Sequence, residues 1–74
     1  MEFSFKYYKR GIIKYINGDY HKAIKYFDMV VKFSPHYPHI YIYRGHSKLK
    51  LGDKDGAIQD WTIAAELTVR KRMN

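Results

Sequence analysis

Three of the four histidines fall close together, at His36, His39 and His46. His36 and His39 are three residues apart, and His46 lies two helical turns beyond His39 on a similar face. Zinc would need three or four ligands from one pocket. The chain has no cysteine, and no acid accompanies this set. These side chains are therefore expected at a surface or groove, with no metal. Asp19 and Asp53 each follow a glycine, where a helix cap is expected. No Ser-His-Asp set, glycine-rich phosphate loop or pair of carboxylates in an apolar run is present. The expectation is a non-enzymatic protein that needs no cofactor.

Charge points toward partners. The 74 residues carry 14 Lys and Arg against 7 Asp and Glu, for a net +7. Such an excess favours acidic partners and speeds encounters with them, without naming them. The basic residues are spread along the chain except for "RKR" at 70–72, which reads as a cationic helix end in a short tail, 70–74. No apolar run reaches the ~20 residues of a membrane span. The N-terminus lacks the apolar segment of a secretory signal. A cytoplasmic protein is expected, and Met1 with the basic tail suits a complete small chain.

What positions these residues is a duplication. Gly11 and Gly45, Gly18 and Gly52, Asp19 and Asp53, Ala23 and Ala57, Ile24 and Ile58, and Phe27 and Trp61 are all 34 apart. The same offset relates Tyr7 to Tyr41, Arg10 to Arg44 and Lys14 to Lys48. The chain reads as a single domain of two copies of one unit, 4–37 and 38–71.

Each copy has the apolar spacing of two helices. Tyr8, Ile12, Tyr15 and Ile16 recur at helical intervals before "NGD" ends the first helix. Gly18 suits a left-handed position just past a helix end. Ala23, Ile24, Phe27, Val30 and Val31 form one face of the second helix, which stops before Pro35. The second copy repeats this through Ile42, Leu49, "LGD", Ala57, Ile58, Trp61 and Ala65. Gly11 and Gly45 fall inside helices, where glycine costs about 1 kcal/mol against alanine. The spacing predicts close helix approach there, against Ala23 or Ala57, with Phe27 and Trp61 filling the space between units. An all-α fold follows.

The 34-residue period and the pattern Tyr7, Gly11, Gly18-Asp19-Tyr20, Ala23, Phe27, Pro35 resemble the tetratricopeptide repeat (TPR) family. The second unit resembles it through Tyr41, Gly45, Gly52-Asp53, Ala57 and Trp61, and the wording looks most like bacterial repeats. The resemblance covers about residues 4–71 and implies four antiparallel helices in a right-handed superhelical stack. Arg10 and Arg44 stand where the family commonly has Leu, and Lys14 and Lys48 where it commonly has Tyr. Their stems are expected over apolar surface with the charged heads in water, and Arg44 is also placed to pair with Asp60. Val69 replaces the counterpart of Pro35, so the last helix is expected to continue through "LTVRKR".

The resemblance also implies a site. First helices of TPR units line a concave face, which here would include Phe5, Tyr8, Lys9, Ile12, Tyr15 and Ile16 from one unit. The other would supply His39, Ile42, Tyr43, His46, Leu49 and Lys50. This aromatic and aliphatic groove with basic edges suits a protein segment bearing apolar and acidic groups. The Lys and Asn of the family's carboxylate clamp are absent, with Tyr8, Ile12 and Tyr43 in those places. Two repeats are fewer than the three or so usual in an array, and the first helix, with Phe3, Ile13 and the residues above, is apolar nearly all round. Trp61 has no following unit to meet. Self-association into a homo-oligomer is therefore expected. Nucleic acid is the alternative partner, since tyrosines among basic residues can stack bases.

Overall fold

Two glycine turns set the architecture. Gly18 and Gly52 take φ values of 81° and 88°, in the left-handed region that costs other residues about 1–2 kcal/mol. The Gly18 N–H donates to the Tyr15 carbonyl at 3.1 Å, and the Asp19 N–H to the Lys14 carbonyl at 2.8 Å. Gly52 donates to Leu49 at 3.0 Å and Asp53 to Lys48 at 2.8 Å, the same pair of bonds 34 residues on. Both turns thus satisfy otherwise orphaned helix carbonyls in a Schellman closure. Each aspartate then caps the next helix. The Asp19 carboxylate accepts from the Lys22 N–H at 3.4 Å, and that of Asp53 from the Gly56 N–H at 2.9 Å.

The computed structural model describes residues 2–73, with side chains over 4–72. Four helices form: α1 (Glu2–Ile16), α2 (Tyr20–Phe33), α3 (Pro38–Lys50) and α4 (Lys54–Met73). No strand occurs among the described residues, so the chain is all-α. α1 packs on α2, α2 on α3 and α3 on α4, while α1 meets α3 over a short stretch. The result is a slab of 36 × 30 × 17 Å. Pro38 opens α3 at a position where its missing N–H costs nothing. α4 runs on through "LTVRKR", and Arg70, Lys71 and Arg72 occupy its last turn. Cations are favourable there against the helix dipole. The side chain of Phe3 and the terminal Asn74 lie outside the described residues.

The core forms where α1, α2 and α3 meet. Ala23, Phe27, Val30 and Ile40 are buried, and Tyr7, Tyr8, Ile12, Tyr15, Val31, Tyr37 and Tyr43 pack around them. Burying a side chain such as Phe27 stabilises by roughly 2–3 kcal/mol. The helix glycines make room for rings. A Cβ on Gly11 would lie 2.7 Å from Phe27 Cε1, and one on Gly45 would lie 2.6 Å from Trp61 Nε1. The nearest atoms at Gly11 are all from Phe27, so the ring occupies the space that the spacing assigned to Ala23. At Gly45 the indole does the same, with the Ala57 carbonyl oxygen next at 3.2 Å.

The apolar faces of α3 and α4 depart from expectation. Ile42, Leu49 and Ile58 are 38%, 45% and 48% exposed, and Ala65 is exposed too. Each copy carries the same apolar pattern, but only in the first copy is the face toward the next unit covered, by α3. Arg44 and Lys48 also differ, since their heads do not simply reach water. Both hold the carboxylate of Asp60, which is 1% exposed. Arg44 reaches it at 2.7 and 2.9 Å, and Lys48 at 3.1 Å. Arg44 also bonds Asp28 of α2 at 3.0 Å, tying three helices together. Arg10, at the equivalent place in the first copy, is exposed, because Tyr26 stands where the second copy has Asp60.

Candidate functional site

The residues assigned to the groove divide into a floor and an exposed edge. On the floor, α1 meets α3 through rings, with His39 exposed at its rim. Tyr8 lies edge-on to His39 at 5.5 Å, and Tyr15 edge-on to Tyr43 at 5.4 Å. Tyr15 also stacks on His46 at 6.4 Å and approaches its Nδ1 through the hydroxyl at 3.4 Å. Beneath this seam lies Phe27, with Tyr43 stacked at 6.3 Å and Tyr8 at 6.5 Å. Ile12 packs against the same core. Much of the ring surface is thus spent joining α1 to α3, because helix approach brings matched aromatic positions together.

The edge is apolar and basic. Phe5 is 61% exposed and Ile16 73%, with Ile42 and Leu49 exposed on α3. Lys9 sits over the Phe5 ring at 5.5 Å, an arrangement favoured by the ring's negative face. Lys50 is exposed at the end of α3.

At the head of the seam, Phe5, Tyr8, Val30, Tyr37, His39 and Ile40 line a pit of ≈ 290 Å³, with Ser4 at its wall. The Ser4 and Ser34 hydroxyls are hydrogen-bonded at 2.7 Å and join α1 to the end of α2. That volume is at the small end for ligand pockets and suits one or two apolar side chains. Sequence reasoning found Phe5, Tyr8 and His39 but missed Tyr37, Val30 and Ile40. Val30 and Ile40 belong to the core, and Tyr37 leads from the connector into α3. Their part in the pit depends on how the α2–α3 connector folds back.

Burial, then the neighbouring Tyr43, pushes the Tyr8 phenol above its ordinary value of 10.0, so it stays neutral at physiological pH. Among the described residues, no group of three or more His, Cys, Asp or Glu is placed to hold a metal ion. No buried side-chain nitrogen or oxygen among them lacks a hydrogen-bond partner. No helix of the described residues is long and apolar enough to cross a membrane. No family model matches the chain, and no curated protein matches it.

Proposed function

We propose that this chain is a non-enzymatic protein-interaction module, built as two TPR units. It takes a protein segment along the α1–α3 face. The observation that carries this reading is the pit beside the aromatic seam, open to solvent and lined by Phe5, Tyr8 and His39, with Lys9 over the Phe5 ring. A segment would set an apolar side chain in the pit and place acidic groups beside Lys9 and Lys50. Support for the TPR assignment comes from the 34-residue offset, at which the Schellman turns, the caps and the aromatic-over-glycine contacts all recur. Scaffold or assembly factor describes the class of work, with no cofactor.

The test uses side chains that leave the core alone. Phe5→Asp and Ile16→Asp lie on exposed positions, so the variants should keep the wild-type helical content. A protein recovered by wild-type chain should be lost from the doubly substituted chain. Equal recovery by both would remove the α1–α3 face from the reading. Nucleic acid is the rival that the +7 charge favours. Phosphate contacts weaken steeply with salt, so binding to generic RNA or DNA that survives Phe5→Asp yet collapses between low and raised salt would replace this proposal.

A further inference from the structure

A second hollow lies between α3 and α4, away from the pit, and the duplication says what kind of object fits it. Five of its lining residues are Ile42, His46, Trp61, Ala64 and Ala65. Each is 34 positions beyond a residue of the first copy: Tyr8, Ile12, Phe27, Val30 and Val31. Those five first-copy residues form the face that α3 covers, where Ile40 is buried and His39 and Tyr43 lie against Tyr8, Tyr15 and Phe27. The chain therefore contains both a filled and an open version of one surface. Phe27 is 0% exposed under its helix, whereas Trp61, in the same position over a helix glycine, is only half-buried.

We propose that the hollow around Trp61 docks an amphipathic helix of a different protein. That helix offers apolar side chains in the pattern of His39, Ile40 and Tyr43, with acidic residues in its first turn. Two differences between the versions define the ligand. Ala64 and Ala65 replace Val30 and Val31, so the open floor is deeper and takes a side chain larger than Ile40. Arg72 lines the hollow and no acid does. α3 begins just after α2 ends, so its first turn lies by the last turn of α2. A helix docked in the same sense places its first turn beside Arg72, where acidic groups also suit its own dipole.

A second copy of this chain fits poorly. The helix it would offer is α1, which carries Phe5, Lys6 and Lys9 at the places where α3 has His39, Ile40 and Tyr43. Stacking α1 there would bury Lys6 and Lys9 in an apolar hollow without an acid, and an unpaired buried charge costs several kcal/mol. Charge thus argues against head-to-tail self-assembly and for an acidic partner.

Trp61 is the single tryptophan, so its emission reports this site directly. The probe is a synthetic peptide with the sequence of residues 38–50, carrying Ile40→Phe and two added N-terminal glutamates; a control peptide has two lysines there. The glutamate probe should shift Trp61 emission to the blue and saturate, and the lysine control should bind at least tenfold more weakly. Ala65→Arg, at an exposed position, should weaken the glutamate probe at least tenfold. Phe5→Asp should leave its affinity unchanged, which separates this face from the pit. Equal affinity of the two peptides, or no emission change in the millimolar range, would overturn the proposal. So would a blue shift on concentrating the chain alone together with rising mass in light scattering, which would make the occupant a second copy.

Discussion

Arg44 on α3 grips the carboxylate of Asp60 on α4 at two points, Nε to Oδ2 at 2.9 Å and Nη2 to Oδ1 at 2.7 Å. Burial works against the guanidinium charge. The hydrogen bonds and charges of Asp60, and then of Asp28, outweigh it and hold Arg44 above its ordinary pKa. Lys48 completes the set at Oδ2, 3.1 Å away, the oxygen that also accepts from Arg44 Nε. Removing one member of a buried pair costs about 3–5 kcal/mol, because the remaining charge is stranded. Asp60→Ala should therefore lose about that much stability in urea unfolding. Replacing both partners, Arg44→Met with Asp60→Leu, should recover most of the loss. If the double variant is as unstable as the single one, the pair is not what holds α3 to α4.

Gly11 and Phe27 should be energetically coupled. A methyl on Gly11 would meet a ring that is 0% exposed and closed in by Tyr8 and Tyr43. Overpacking costs typically 1–3 kcal/mol, against about 1 kcal/mol gained in helix propensity. Gly11→Ala should be destabilising by about 1–2 kcal/mol on balance. In a Phe27→Leu background the same change should cost less or become favourable, giving a double-mutant coupling of about 1 kcal/mol or more. Additive effects would show that the ring does not need the glycine.

The turn glycines behave differently, since nothing lies within 4 Å of a Cβ at Gly18 or Gly52. Their requirement is backbone angle alone. Gly18→Ala and Gly52→Ala should each cost about 1–2 kcal/mol. Asparagine, which tolerates left-handed angles, should cost less at both sites. Thermal melts of the four variants check this, and equal losses for alanine and asparagine would contradict it.

Alkali should unfold the chain through its tyrosines. Burial, then Tyr43, raises the pKa of Tyr8 above 10.0, and burial, opposed by Arg44 and assisted by Asp60, raises that of Tyr41. The folded state keeps protons that the unfolded chain gives up. The associated stability is fully present below about pH 10 and is lost as pH rises through the folded values. Melting temperature should therefore fall above pH 10, and Tyr8→Phe should make the fall shallower. Tyr41→Phe also loses the 2.8 Å bond from its hydroxyl to the Pro35 carbonyl, so its melting temperature should already be lower at pH 7.

Most of the helical plan was legible in the chain. Gly18 and Gly52 mark helix ends because only a few residues accept positive φ, and Asp19 and Asp53 cap because their side chains reach backbone N–H groups three residues on. Such local chemistry depends on neighbours a few positions away, so it can be read along the sequence. The ring against Gly11 was harder to assign. Ala23 and Phe27 both belong to the facing helix, and which of them fills the gap depends on axial offset and helix rotation. Tyr37 in the pit was missed for a related reason, since no local rule says where a connector will fold back.

The sequence by itself determined two copies of one helical hairpin, their turns and caps, and the apolar stripe each presents. It could not say which stripes would meet. Ile42 and Tyr8 occupy matching places in the repeat and carry similar apolar character, yet Tyr8 sits against His39 while Ile42 stays 38% exposed. Only tertiary packing decides this, because burial depends on the presence of another element and not on a residue's own preference. The same packing turned Asp60 from a helix-surface position into a buried anchor for Arg44 and Lys48, and left Trp61 half-covered at the open end of the stack.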